Sequence, residues 1–188
     1  ALQVAREVGA AKAAGMAEAC GVRFMGDPVG RGGLAFVLGA VETRLIDLTN
    51  AYATLGRAGV RRNIRTFIDE PVVDARILDA NVCAWLGHEL SSWRFPSAEF
   101  ENLSPQSIPW FMRKTGTSSG RRDAWAVGHN GKYAVGVWVG RLSGMGDEAF
   151  VGAKSAEPIL SRIFDLPQVR VTEAPERPTP WTVTRPVP

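Results

Sequence analysis

The sequence predicts a mixed α/β protein of the α+β kind, in which an antiparallel sheet packs against helices. Apolar residues recur at helical spacing in several segments of the first half of the chain. Further along, β-branched or aromatic residues alternate with residues that are small except for Trp138 over residues 133–140, which is the two-residue period of a strand. The pair Asn130-Gly131 precedes this run and is the strongest short signal for a β-hairpin. Helices are therefore expected first and an antiparallel meander later.

Size and composition indicate one globular domain followed by a tail. The chain has 188 residues, of which 45% are hydrophobic, enough for a core that needs no cross-links. The net charge is only +3 and the basic residues are scattered, so nucleic-acid binding gains little support. Cys20 and Cys83 lie in apolar helical patterns without metal-ligand spacing and are interpreted as small buried hydrophobic residues. His88 and His129 have no acidic or thiol partner in the pattern and are interpreted as surface or packing residues.

The N-terminal segment predicts one helix that runs to Cys20 and stops at Gly21. Because its pattern starts without a cap, and the other end of the chain is rich in proline, we expect the chain to be a segment of a longer protein. Residues 26–40 are rich in glycine and are interpreted as an irregular loop. No signal peptide or membrane span is visible. The apolar stripe of the helix consists of Leu2, Val4, Ala5, Val8, Ala11 and Met16.

Two more helices are predicted before the lysine-bearing segment. The first follows Thr43, its predicted N-cap, and ends near Gly56 and Gly59. The second is expected to be capped by Asp74, and residues 63–73 between the two helices predict short strands. Their apolar faces are Leu45, Leu48, Tyr52 and Leu55 for the first, and Leu78, Val82, Trp85, Leu86 and Leu90 for the second. A long surface loop over residues 91–109 follows.

Three strands are predicted next, over residues 114–118, 124–128 and 133–140, with a tight turn at Asn130-Gly131 in which both residues need positive φ. One face of the last strand is small except for Trp138, and we expect a C-terminal helix to pack closely against it.

That C-terminal helix is predicted to be capped by Ser155, to tolerate Pro158 in its first turn and to end at Pro167. Residues 1–166 then form the domain, and residues 167–188, rich in proline, form a linker or tail. The buried face of the helix consists of Ile159, Leu160, Ile163 and Phe164.

Residues 114–118, Lys-Thr-Gly-Thr-Ser, carry the chemistry that the sequence suggests. Gly116 has no side chain, so another chain can approach closely there. Lys114, Thr115 and Thr117 offer a cation and two hydroxyls to a bound carboxylate. A P-loop is excluded because its lysine follows the glycine. By itself the triplet is equally typical of a solvated basic loop, since several arginines lie nearby.

The strand region resembles the end of a penicillin-binding transpeptidase domain. The resemblance rests on KTGTS at residues 114–118, RDAWAVG at 122–128 and VGVWVG at 135–140, and on the helix-like DLTNAYATL at 47–55. The pattern is most similar to bifunctional class A enzymes of the 1C type, and it covers roughly residues 1–166. It implies the penicillin-binding/β-lactamase-like transpeptidase fold.

The resemblance also implies a serine acyl-enzyme mechanism with no metal or organic cofactor. In such domains a Ser-x-x-Lys serine attacks the D-Ala–D-Ala carbonyl of a peptidoglycan stem peptide, and a Ser-x-Asn motif assists proton transfer. An amine of a second stem peptide then completes the cross-link, and β-lactams mimic the D-Ala–D-Ala end. The parent protein would be membrane-anchored at the periplasmic face of the bacterial inner membrane, with a glycosyltransferase domain upstream.

Each residue of the motif acquires an expected role from the resemblance. Lys114 would favour the substrate carboxylate and lower the pKa of neighbouring hydroxyls. The hydroxyls of Thr115 and Thr117 would bind that carboxylate, and the backbone N–H of Thr117 would be an oxyanion donor. Gly116 would admit the peptide as an added strand. Ser118 would border the cleft.

The chain departs from the family pattern because the nucleophile is absent from it. None of Lys12, Lys114, Lys132 and Lys154 has a serine three residues before it, and no Ser-x-Asn occurs. We therefore expect the chain alone to be inactive. The family's sheet also contains strands that precede the serine helix, so we expect open flanks here. The consequence would be self-association or binding to a separate N-terminal part of the same protein.

Two alternatives remain open at this point. A D,D-carboxypeptidase or β-lactamase-like hydrolase would use the same motifs with water as the acceptor. A non-catalytic module that binds peptide or a partner protein would fit the absent nucleophile.

Overall fold

The structure, a computed structural model, describes residues 2–92, 100–104, 107–173 and 175. Most of the predicted tail and much of the predicted 91–109 loop therefore lie outside the described residues. The helices of the described ranges are α1 (Leu2–Val8), α2 (Ala10–Ala19), α3 (Pro28–Gly32), α4 (Leu45–Gly56), α5 (Ala80–Glu89) and α6 (Glu157–Asp165). The strands are β1 (Val60–Arg62), β2 (Asp74–Arg76), β3 (Met112–Thr117), β4 (Asp123–His129) and β5 (Ala134–Gly140). None of these helices is both long and apolar enough to cross a bilayer.

The central sheet is the antiparallel meander β3-β4-β5 that the sequence predicts, so the mixed helix and antiparallel-sheet class is confirmed. The turn between β4 and β5 differs from the prediction, because it spans four residues instead of two. The side-chain oxygen of Asn130 accepts the backbone N–H groups of Lys132 and Tyr133, at 3.2 and 2.9 Å. Within this turn only Gly131 has positive φ, 84°. The asparagine thus shapes the turn through its side chain.

The face of the sheet that carries Val137 packs against α6. Phe111, Leu160 and Phe164 are fully buried in this core, and the rings of Phe111 and Phe164 stack with centroids 4.6 Å apart. The aromatic stack and the valines fill the space between the strands and the helix. Pro158 lies in the first turn of α6 as predicted.

The small face of β5 packs against α4, which corrects the prediction that the C-terminal helix would lie there. A Cβ atom on Gly136 would come within 2.1 Å of Oγ1 of Thr49 and 2.9 Å of a methyl group of Leu45. Glycine at this position is what allows α4 to approach the strand so closely.

The N-terminal segment forms two helices instead of the single predicted one. The chain breaks at Gly9, whose φ of 89° no other residue type adopts readily. The helices pack through small residues, since Ala5 and Ala14 are the buried ones. The predicted apolar stripe is wrong in its larger members, because Leu2, Val4, Val8 and Met16 are exposed.

Helical turns also replace the loop predicted over residues 26–40. Asp27 caps α3 by accepting the N–H of Val29 at 2.9 Å, and Pro28 occupies the first turn. A 3₁₀ segment, Gly33–Leu38, follows directly. Proline just inside the start of a helix, after an aspartate cap, is favourable because its missing N–H is not needed there.

Three predicted caps are wrong. Thr43 donates its hydroxyl to the carbonyl of Arg23, and Arg44 stands at the N-cap of α4 instead. Ser155 donates to the carbonyl of Val151 inside a π-helical turn, Gly152–Ala156, that leads into α6.

Asp74 is the third of these caps, and it lies on β2, where Arg62 donates to it at 2.7 Å. The cap of α5 is Asp79, which accepts the N–H of Asn81 at 2.8 Å. Residues 63–73, predicted as short strands, are the connection between β1 and β2. Asp74, which the local pattern assigned to a helix cap, therefore lies on β2 because that strand pairs with β1.

Candidate active-site strand

Lys114 lies on β3 and its side chain is exposed. It pairs across the sheet with Val127, and Gly116 pairs with Trp125. The ammonium Nζ donates to the carbonyl oxygen of Thr115 at 2.7 Å, so the side chain folds over the edge of its own strand. A cation is thus held at the strand edge and remains open to solvent.

The edge of β3 that faces away from β4 is covered at one end and open at the other. Near its start, the N–H of Arg113 donates to Leu90 at 3.0 Å, and the N–H of Ser92 donates to Phe111 at 2.8 Å. Beyond Arg113 the described residues place no strand on this edge.

Because backbone groups alternate along an antiparallel strand, the N–H groups of Thr115 and Thr117 point the same way as that of Arg113, outward. The open edge can therefore accept an extended chain by strand addition.

Among the described residues, no packing contact requires a glycine at position 116. A Cβ atom there would meet only Cβ of Trp125 at 3.7 Å, which is an ordinary contact, and the backbone does not have positive φ. The contrast with Gly136, where a Cβ atom would collide with α4, is direct. A bare backbone at Gly116 instead leaves free space on the exposed side of the strand.

The hydroxyl residues of the motif are placed differently from the lysine. Side chains alternate across a strand, so Thr115 and Thr117 lie on the face opposite to Lys114 and Gly116. Oγ1 of Thr117 accepts the N–H of Gly152 at 3.0 Å, and its own proton is left to donate elsewhere. The ammonium of Lys114 therefore reaches the backbone carbonyl of Thr115 at the strand edge, and among the described residues no hydrogen bond joins it to either threonine hydroxyl.

Ser118 closes the turn after β3. Its Oγ accepts the N–H of Asp123 at 2.8 Å, and its own N–H donates to the carbonyl of Asp123 at 2.9 Å. Asp123 in turn accepts the indole N–H of Trp138 at 2.9 Å. These bonds fix the end of β3 against β4 and β5, so Asp123 has a structural role here.

A support beneath β3 was not predicted from the sequence. Nε of Arg113 donates to Oε1 of Glu157 at 2.6 Å, and both side chains are only 10% exposed. Gly152 lies so close to the sheet that a Cβ atom there would approach the carbonyl oxygen of Gly116 to 2.4 Å. The π-helical turn and the start of α6 thus pack against β3 and hold it in place. Lys114 has no such partner in the described residues beyond its bond to Thr115.

The remaining polar candidates lie elsewhere. Cys20 and Cys83 are free and buried, as predicted. His129 is buried against Trp110, and burial lowers its pKa to about 4. In the described part of the chain no three histidine, cysteine or acidic side chains converge as they would around a metal ion.

Comparison with known proteins gives two relatives and no matching protein-family model. Over 155 residues, 81% of this chain, the sequence is 32% identical to penicillin-binding protein 1C of Escherichia coli strain K12. Over 142 residues, 64% of this chain, it is 32% identical to penicillin-binding protein 1A of Mycobacterium tuberculosis strain H37Rv. The chain spans 19% of the length of the first relative and 16% of the second. The resemblance predicted from the sequence is confirmed.

Proposed function

We propose that this relative of penicillin-binding proteins forms the C-terminal part of a peptidoglycan D,D-transpeptidase domain with the penicillin-binding fold. The observation that carries the proposal is the open edge of β3, where Lys114 is exposed and a glycine leaves free space for an external chain. Sequence identity to two penicillin-binding proteins over most of the chain gives independent support.

The proposed mechanism begins with a stem peptide that lies along β3 as an added strand. The outward N–H groups of Thr115 and Thr117 pair with its backbone, and the ammonium of Lys114 attracts its terminal carboxylate. Oγ1 of Thr117 accepts the N–H of Gly152 through one lone pair, and that bond leaves the hydroxyl proton available to donate to the peptide. The chain thus supplies binding and charge stabilisation.

The nucleophile belongs to a part of the protein that this chain lacks. A serine oxygen forms a bond to the penultimate D-Ala carbonyl carbon, the peptide C–N bond breaks, and the departing amine takes the proton. An amine of a second stem peptide then displaces the serine. The N–H of Thr117 is one donor to the oxyanion that forms in each step.

The parent protein in this proposal is anchored at the periplasmic face of a bacterial inner membrane, and its N-terminal part covers this chain. Two features support a covering partner. The large apolar residues of α1 and α2 are exposed, and β5 has no strand neighbour other than β4 in the described residues. Uncovered apolar surface and open strand edges are sites of association.

Fluorescent penicillin tests the proposal on a parent protein that contains the serine. We expect Lys114→Ala to lower the labelling rate by about 100-fold or more, the loss typical of one positioned electrostatic group. Lys132→Ala is the matched control, because Lys132 is also exposed but lies in the β4–β5 turn. Circular dichroism would establish that both variants fold.

Two results would contradict the proposal. One is labelling of Lys114→Ala at the rate of the parent. The other is covalent labelling of the isolated chain, which would place a nucleophile within it.

A non-catalytic binding module is the second candidate, and the absent nucleophile favours it for the isolated chain. In that case the open edge of β3 binds peptide without reaction, and the parent does not label. Among enzymes, product analysis with an added acceptor amine separates cross-linking from hydrolysis.

A further inference from the structure

A cavity of about 160 Å³ lies between α4, α5 and the end of β4, away from the open edge of β3. Its walls are largely apolar, and His129 and Trp110 lie on one side of it. His129 pairs across the sheet with Met112, at the opposite end of β3 from Thr117. The cavity is therefore distinct from the proposed peptide site, and an inference about it does not depend on the proposed function.

His129 is a polar side chain without a polar partner. It is only 5% exposed, and neither ring nitrogen has a hydrogen-bond partner in the part of the chain that the structure describes. Gly56 leaves room for the ring, because a Cβ atom there would lie 3.0 Å from Nδ1. Buried polar atoms are almost always paired, so an imidazole beside a cavity, with neither nitrogen paired to a described residue, is suited to bind a polar group of a ligand there.

The surroundings define which chemistry fits. Burial lowers the pKa of His129 to about 4, so at neutral pH the ring is uncharged and offers one N–H donor and one acceptor. Burial also raises the pKa of Cys83, so its thiol is a neutral part of the wall. The third titratable residue that lines the cavity is His88. Among the described residues no carboxylate or permanent cation lines the cavity, so a charged ligand would be poorly solvated there.

Size narrows the ligand further. Apolar cavities of about 150 Å³ in other proteins hold one benzene-sized molecule. A ring fits the apolar walls, and a hydroxyl on that ring can donate to the unprotonated nitrogen of His129 or accept from the protonated one, whichever faces the cavity. We propose that this cavity is a binding site for a small uncharged aromatic alcohol of the phenol class, whose hydroxyl pairs with the ring of His129.

Titration of the full chain with phenol and with benzene, followed by NMR of the histidine ring signals, tests the proposal. We expect saturable one-to-one binding of phenol, about tenfold tighter than benzene because benzene leaves the imidazole unpaired. His129→Phe keeps the ring volume and should abolish the preference for phenol. His88→Phe, at the other histidine of the cavity, should keep it.

A cavity-filling variant and a crystal structure show whether the ligands bind in this cavity, independently of how well His129→Phe folds. Ala84→Met, on α5 at the cavity wall, should weaken both ligands alike. If His129→Phe does not fold, the phenol-to-benzene ratio and the ring shift of the parent chain decide the matter. Equal affinity for the two ligands, a preference that survives His129→Phe, or a crystal structure with phenol that shows only water beside His129 would overturn the proposal.

Discussion

The α6 side of the sheet and the N-terminal layer, formed by α1 and α2, differ in how far they bury their large apolar side chains. On the α6 side, Phe111, Leu160 and Phe164 are completely buried. In the N-terminal layer the buried residues of α1 and α2 are alanines, and larger side chains face solvent, with Val4 63% exposed. Within the described residues, the large apolar side chains of the core are thus buried on the α6 side, and those of α1 and α2 are exposed.

Phe164→Ala tests the comparison with the largest expected effect. Removing a stacked, fully buried ring should lower the free energy of unfolding by about 4 kcal/mol. Met16→Ala, in the exposed stripe of α2, is the matched control and should change it by less than about 0.5 kcal/mol. Urea unfolding followed by circular dichroism measures both. Equal losses would mean that the two regions are buried alike.

The same contrast explains what the sequence predicts well. The strands of the meander were predicted correctly, because the strand period agrees there with a core that the described residues form. On the predicted buried face of α6, Leu160 and Phe164 are fully buried, whereas Ile159 is 45% exposed and was assigned to that face wrongly. The stripe of α1 and α2 was assigned to the wrong residues, because alanines are the residues that these helices bury in the described chain. Pattern identifies the element, and burial depends on what packs against it.

Caps were predicted least well, for a physical reason. Asp74 and Asp79 both satisfy the local rule for a helix cap, and only pairing between β1 and β2 decides between them. The candidate site shows the same division. Residues 114–117 were correctly placed on a strand, whereas Ser118, predicted on the same strand, lies in the turn after β3. The contacts of Gly152 with Thr117 and of Glu157 with Arg113 were not predicted. These partners are 35 and 44 residues distant in the chain, and no local pattern links them.

Lowering the pH should reduce the stability of the contact between α4 and β4, where His129 is buried. Burial lowers the pKa of His129 from 6.5 to about 4. Between these two pH values His129 is therefore protonated in the unfolded chain and largely neutral in the folded chain. The associated stability is fully present above pH 6.5 and is lost as the pH falls to about 4. That loss should reach about 3 kcal/mol.

His129→Phe removes the titrating group and is the control for this pH profile. Unfolding free energies measured by urea at several pH values should fall less steeply between pH 6.5 and 4 in the variant than in the parent chain. The same slope in both would mean that His129 is not buried as described.

Gly152 and Gly116 distinguish a glycine that the fold requires from one that leaves space for a ligand. Gly152→Ala should lower the free energy of unfolding by about 2 kcal/mol, because the new methyl group collides with the backbone of β3. Gly116→Ala should leave it within about 0.5 kcal/mol, because the added atom meets only an ordinary contact.

Although Gly116→Ala should hardly change stability, it should slow penicillin labelling of the parent protein. The methyl group would stand where an added strand must approach, so Gly116→Ala should label more slowly despite normal stability. A fully active Gly116→Ala variant would remove the argument that this glycine serves an external chain.

The smallest effect on folding is expected from the exposed stripe, where association is the informative measurement. We expect the isolated chain to self-associate through uncovered apolar surface, and Val4→Ser with Val8→Ser to shift it toward monomer. Their free energy of unfolding should stay within about 0.5 kcal/mol of the parent chain, because neither side chain belongs to the core. Sedimentation velocity over a range of concentrations measures the shift. If the unmodified chain is already monomeric at all concentrations, the stripe needs no cover, and the contrast between the two regions would reflect only how the helices pack.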